Sequence, residues 1–425
     1  MLTAERVLAL LVSLWLLGCC GSGTLAATYH VGKGQRFATM QDLLSAVALV
    51  DHDVVLVHPG TYPPFVVERG GGSSPETAPV IRASDVTRRP VFDAAGAKVG
   101  IALNPDHGKW FALDGLEVCR ASDRGIRHAW SGLVMRHCYV HDCRTGFLSA
   151  GRNVTDEEPG YLIAESNEFA RNGQGVYCHQ WYIQEYWVQF RYNWVHDATG
   201  GLAYKDRSRT SLVEYNLIEQ GPAGHAALYF CGFDLEGMPD IGQTATAIGN
   251  IICNRGEGRK YQFVSNIRKE GGVPGGRNIG KLYLINNTFY SEGHTGPMLA
   301  TDEGSRIWAY NNIFQSTASD RILGKVEIAE NAGEIVEGRH NWVNRRMVVP
   351  DTFKDTISGS DPGFMDVTGP RWDLHLRSGS PCIAAGWDAV SPRPTGEYRH
   401  PMSSAVRRDA GILDIGAFAY KETGR

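Results

Sequence analysis

From about residue 110 onward the chain alternates short apolar stretches with single polar residues at a spacing too short for helices. Phe111-Ala112-Leu113, Leu133-Val134-Met135, Tyr161-Leu162-Ile163-Ala164, Trp187-Val188-Gln189-Phe190, Ser211-Leu212-Val213, Ala245-Thr246-Ala247-Ile248, Lys281-Leu282-Tyr283-Leu284 and Arg306-Ile307-Trp308-Ala309 read as strands of near-continuous apolar character, as expected where a parallel sheet is covered on a face. Behind each of the last six stands an asparagine followed by a second short strand. Asn167, Asn193, Asn216, Asn250, Asn287, Asn312 and Asn341 recur at intervals of about 20 to 35 residues, the range of solenoid repeats. Arg136-His137-Cys138-Tyr139-Val140 fits the same frame without the Asn. An Asn tolerates the left-handed backbone of a sharp turn, and its amide can bond the Asn of the coils on either side. The expected fold is all-β: a right-handed parallel β-helix in which each coil stacks on the last.

A solenoid needs its open ends covered. Thr39–Val50 is the one amphipathic helix candidate, with Leu43, Leu44, Ala46, Val47 and Val50 at helical spacing, and is read as the N-terminal cap. Residues 28–109 then hold the cap and first coils, 110–349 the regular coils, and 350–425 a last coil and a loop-rich C-terminal cap. Three inserts interrupt the coils, Gly151–Gly160, Asp234–Gly242 and Ile267–Asn278; loops of this kind are where a solenoid places a binding groove.

Composition narrows the function. The formal charge of −4 over 425 residues carries no basic excess, which argues against nucleic acid as partner. Residues 1–27 read as an export signal: Val7–Leu17 is apolar and too short for a membrane span. Leu16-Leu17-Gly18-Cys19 resembles a lipobox that would make Cys19 a lipid anchor; cleavage near Ala26 or Ala27 by ordinary signal peptidase competes with it. A secreted, periplasmic or outer-membrane monomer is expected. Of nine cysteines, seven lie beyond the signal. Their odd number and the lack of a CxxC pair argue against a disulfide framework or a zinc knuckle; small apolar side chains packed inside the solenoid are the simpler reading.

The opening Val55-Leu56-Val57-His58-Pro59-Gly60-Thr61-Tyr62 and the closing Ser380-Pro381-Cys382-Ile383 with Asp414-Ile415-Gly416-Ala417-Phe418 resemble the ends of right-handed β-helix proteins of the pectate-lyase-like superfamily. The resemblance implies the fold over nearly the whole mature chain. It leaves activity open, because that superfamily holds lyases, hydrolases, epimerases and modules without known activity.

Gly201-Leu202-Ala203-Tyr204-Lys205-Asp206-Arg207-Ser208 is more specific. It resembles the segments of alginate, chondroitinase B-type and pectate lyases whose lysine is the catalytic base, which maps the base onto Lys205. Those lyases carry acidic calcium ligands just ahead of the lysine, where this chain has Leu202 and Ala203. No cofactor is therefore expected, calcium at Asp234, Glu236 and Asp240 being the exception worth testing.

Lyases remove the C5 proton of a uronate and eliminate the 4-linked sugar, which needs a base and a cation on the carboxylate. Lys205, Arg207 and Arg209 share strand parity and are expected to face outward together. Counting from Gly175 and Gly201, His179 falls one coil below Lys205. Crowded positive charge lowers a lysine pKa, and an arginine can clamp a carboxylate. Lys205, Arg207 and His179 are thus the candidate catalytic residues. Arg209, Trp181, Tyr182 and Tyr177 are the candidate polysaccharide-binding ones, since aromatic rings stack on the apolar faces of sugars. Other readings compete: Asp206 paired with Arg207 in a turn, His179 as a plain polar residue, the aromatic run as core. A carbohydrate-binding module without catalysis is the main alternative to a polysaccharide lyase. A hydrolase is the weaker one, because its carboxylate pair is not visible.

Overall fold

The structure is a computed structural model that describes residues 26–422 except 130, 150–158, 176, 222–225, 233–241, 255–263, 268–279, 293–296, 302–304, 318–325, 328, 331–335 and 370. Most of the export segment, Cys19, Asp234, Glu236, Asp240 and most of the three inserts lie outside the described residues.

Three long parallel sheets run the length of the chain. The first has 13 strands from Thr28–Val31 to Phe353–Lys354, the second 12 from Thr61–Tyr62 to Ile357–Gly359, and the third 10 from Phe65–Val67 to Ala329–Glu330. Each coil visits them in that order. One complete coil is Trp187–Arg191, Trp194–His196 and Tyr204–Asp206. Consecutive coils pair without slippage: Phe111, Leu133, Leu162 and Val188 form one column of the first sheet, and Leu113, Met135, Ala164 and Phe190 the next. These side chains are 0–1% exposed. Alternate residues point inward, and stacked coils remove them from water, so the interior is one continuous core.

The predicted cap is present but shorter than the pattern suggested. The helix is Met40–Ala46, with Thr39 as N-cap in a reciprocal capping box with Asp42. Leu43 is fully buried, Leu44 nearly so, and Val47 is already extended.

The asparagine stripe is a buried ladder. Asn193 donates from its backbone N–H (2.9 Å) and from Nδ2 (3.1 Å) to Asn216 Oδ1, and Asn216 makes the same pair of bonds to Asn250 Oδ1 (3.0 and 2.8 Å). The pattern runs from Asn167 to Asn341, and Cys138 N–H bonds Asn167 Oδ1 at its head. One expectation fails. The left-handed residue is not the ladder Asn but the residue before it: His137, Ser166, Tyr192, Tyr215, Asn286, Asn311 and His340 have φ of 51–58°, and Gly249 has 65°. The Asn amide is fully occupied in the ladder, and the strain falls on its neighbour.

Beyond Pro350 the chain forms two antiparallel pairs, Phe364–Asp366 with Asp373–Leu376 and Gly396–Arg399 with Ser403–Val406. This tail packs on the outer face of the second sheet around Tyr215, Tyr290, Trp342 and Ile313.

Candidate functional site

Lys205 lies on the third sheet, in the strand Tyr204–Asp206. Tyr204 and Asp206 point into the core, so Lys205 between them points out. Its register partners are Tyr182 in the coil before and Tyr229 in the coil after. The ammonium sits 4.6 Å from the Tyr182 ring centre and 6.0 Å from that of Tyr229, within reach of cation–π attraction. The Arg207 guanidinium lies 5.6 Å from the same Tyr182 ring, and Arg207 Nη1 donates to the Gly232 carbonyl at 2.8 Å. Tyr182 is therefore the shared face of two cations. Lys205 is 4% exposed and Arg207 1%, so both heads sit in a sheltered environment where charge interactions are strong.

His179 joins the group, though not in the expected place. The residue one coil below Lys205 is Tyr182, not His179, because the count from the glycines ignores three extra residues in the turn after Gly175. His179 instead accepts a hydrogen bond from Leu202 N–H at Nδ1 (3.1 Å) and meets the Tyr182 ring edge-on at 5.4 Å. Gly201 makes this approach feasible. Its φ is +60°, and a Cβ there would fall 1.7 Å from the Cys178 carbonyl and 2.9 Å from His179 Nδ1.

Two further expectations are corrected. Arg209 does not face out beside Lys205: the strand ends at Asp206, the chain turns, and the Arg209 guanidinium lies 4.8 Å from the Tyr186 ring. Trp181 is not a sugar platform. It is fully buried among Phe169, Phe147 and Phe190, with ring centres 4.0, 4.8 and 4.9 Å away, because a residue adjacent to an outward Tyr182 must point inward. Tyr177, 86% exposed, remains available as a platform. Tyr229 was missed. Its only signal is one tyrosine at outward parity within Leu228-Tyr229-Phe230-Cys231.

Asp206 does not pair with Arg207. Its carboxylate is inside the solenoid, where Tyr204 Oη donates to Oδ2 (2.8 Å) and Ser208 N–H to Oδ1 (2.7 Å). Burial raises its pKa against the opposing effect of these bonds. A second polar group sits at the neighbouring corner. His128 Nδ1 meets Glu185 Oε1 and His128 Nε2 meets Ser131 Oγ, each at 2.9 Å. The order matches a serine–histidine–acid relay, and the three residues are 0–1% exposed. Their evident work is to fasten three coils, since Glu185 N–H also bonds Ser208 Oγ.

A cavity of about 500 Å³ lies elsewhere, between the second sheet and the tail, lined by Trp194, Glu219, Arg371, Tyr398 and His400 among others. It shares no residue with the Lys205 group.

No family model matches the sequence, and no curated protein matches it in sequence. Among solved structures, the chain is similar to the pectate lyase Pel9A, with TM-score 0.58 and 14% identity over 94% of this chain and 97% of that one. It is also similar to XylC in complex with xylose (TM-score 0.47, 11% identity, 79% and 87% covered) and to a rhamnogalacturonan lyase (0.47, 12%, 74% and 87%). With its three parallel sheets the protein has the right-handed parallel β-helix fold of the pectate-lyase-like type. At 14% identity the likeness to Pel9A is one of fold.

Proposed function

We propose that the protein is an exported polysaccharide-acting enzyme, and specifically a lyase that cleaves uronic-acid polymers by β-elimination with Lys205 as base. The observation that carries this reading is the sheltered pair of cations, Lys205 and Arg207, on one tyrosine face of the third sheet. The fold likeness to a pectate lyase supports the same class of chemistry.

In this reading the Lys205 side chain takes the C5 proton of a uronate. The electron pair left at C5 forms the C4=C5 double bond as the C4–O bond breaks, and the leaving sugar oxygen takes its proton from water or from the ammonium that Lys205 has become. The C5 proton is weakly acidic, so negative charge spreading onto the carboxylate must be stabilised; in this reading Arg207 supplies the positive charge. His179 holds Tyr182 edge-on and thereby orients the face beneath both cations. Tyr177 offers an exposed ring to a neighbouring sugar. The calcium held just ahead of the base in lyases of this kind does not fit here, because Leu202 and Ala203 are apolar and buried.

The test is a panel of pectin, alginate, chondroitin and other uronates, read by ultraviolet absorbance of the unsaturated product and by reducing ends. Lys205→Ala should lower the rate at least ~10²-fold. Lys205→Met, which keeps an apolar stem between the two tyrosines, should lose activity equally while folding as wild type. Full activity in Lys205→Met overturns the site. New reducing ends without unsaturation identify a hydrolase. Binding without cleavage of any polymer leaves a carbohydrate-binding module.

A further inference from the structure

We propose that Glu117, Cys119 and His141, on the outer face of the second sheet, form a binding site for one divalent cation of the zinc type. Neighbouring strands Glu117–Cys119 and Tyr139–His141 are parallel, with Glu117 opposite Tyr139 and Cys119 opposite His141. The residues between them, Val118 and Val140, are fully buried, so the flanking positions project outward. One carboxylate oxygen, the Cys119 sulfur and an imidazole nitrogen all lie within 4.8 Å of one another.

The histidine is oriented as a ligand would be. Asp142 holds Nδ1 at 2.5 Å, and Nε2 is turned toward Glu117, 3.2 Å away. A carboxylate on one ring nitrogen that aims the other is the common outer shell of a metal-bound histidine. Tyr139 stacks on the ring at 4.2 Å and fixes its plane. Arg171 pairs with the Asp142 carboxylate at 2.9 and 3.0 Å and lies 3.2 Å from His141 Nδ1. It balances the outer carboxylate and leaves Glu117 and the thiolate to match a dication.

Two coils further on, the solenoid repeats this arrangement without the sulfur. His196 Nδ1 meets Asp197 at 2.8 Å and Nε2 meets Glu168 at 3.2 Å, yet the residue in the Cys119 position is Ala170. The carboxylate–histidine–carboxylate frame is thus a repeated device of the second sheet, and Cys119 is what turns one copy into a mixed O, N, S donor set. That set suits zinc, which takes carboxylate, imidazole and thiolate in a tetrahedron, here with the fourth position open to water. Bonds of about 2.0–2.3 Å require the three side-chain ends to draw together. Glu117, with its side chain 27% exposed, has room to move. Binding displaces the thiol proton and any proton on Nε2, so it releases acid.

The test uses the full chain freed of metal by a chelator and titrated with cobalt(II) chloride, then with zinc chloride. Wild type should take up one cobalt with a thiolate-to-cobalt charge-transfer band in the near ultraviolet, and zinc should abolish the band. Cys119→Ser should lose the band while keeping its circular dichroism, and Asp142→Asn, which removes the positioning carboxylate, should weaken binding by ~10–100-fold. The Glu168–His196 copy serves as an internal control, since cobalt bound there gives no sulfur band. No band in wild type at large excess of cobalt overturns the proposal. So does a band that persists in Cys119→Ser. The outcome is independent of the Lys205 reading, because no residue is shared.

Discussion

Replacing Asn216 by alanine interrupts the asparagine ladder at its third member, and the structure sets the cost. Asn216 is fully buried. Its Oδ1 accepts from Asn193 N–H (2.9 Å) and Asn193 Nδ2 (3.1 Å), and its Nδ2 donates to the Phe190 carbonyl (2.9 Å) and Asn250 Oδ1 (2.8 Å). Not all of these losses matter equally. Asn250 Oδ1 keeps the Asn216 backbone N–H at 3.0 Å, and Asn193 Nδ2 keeps the Ala164 carbonyl at 3.0 Å. The groups stranded are the Asn193 N–H and the side-chain bond to the Phe190 carbonyl. A buried polar group left unmade costs ~1–3 kcal/mol, so the variant should lose roughly 2–6 kcal/mol. A water entering the vacated space brings the cost toward the lower end. Asn216→Asp is the sharper companion. It keeps the acceptor but sets a second oxygen against the Phe190 carbonyl and Asn250 Oδ1, so it should be at least as damaging at neutral pH and less so in acid. The assay is urea unfolding followed by far-ultraviolet circular dichroism, with the midpoint compared at constant slope. A loss below about 1 kcal/mol in Asn216→Ala would show that the ladder is a consequence of the turn and not a support for it.

Asp206→Asn should stabilise the protein at neutral pH. Burial raises the Asp206 pKa above its ordinary 3.8; the stability linked to its proton is complete below that ordinary value and is lost as pH rises through the raised folded value. Asparagine does not titrate, still accepts from Ser208 N–H, and Tyr204 can turn its hydroxyl to accept from the amide. The gain in melting temperature over wild type should therefore be present at pH 7 and shrink toward pH 4; a variant that melts lower than wild type at pH 7 refutes the account. For export, intact mass of protein from its native host should lack residues 1 to about 27 or begin at a lipidated Cys19, and a cytoplasmic product that retains Met1 contradicts both.

Much of the fold is written in the sequence. The recurrence of Asn167 through Asn341 and the paired apolar segments around each demand stacked coils, because strands this short and apolar bury their faces only against a copy of themselves. Thr39 and Asp42 mark the helix start, and Lys205 follows from parity once its strand is recognised. What the sequence could not determine is position across coils. The distance between corresponding residues depends on turn length, and the turn after Gly175 is longer than the one after Gly201, so Tyr182 and not His179 lies beneath Lys205. Strand ends are equally silent: the chain turns after Asp206, which sends Arg209 to Tyr186. A single step of parity put Trp181 in the core and Tyr182 on the surface, and an alternating pattern of aromatics reads the same from either side. Tyr229, His128 with Glu185, and the trio Glu117, Cys119 and His141 come together only through register between coils 22 to 57 residues apart. Local sequence dictates which way each strand's side chains alternate; only the stacking of coils decides which of them meet.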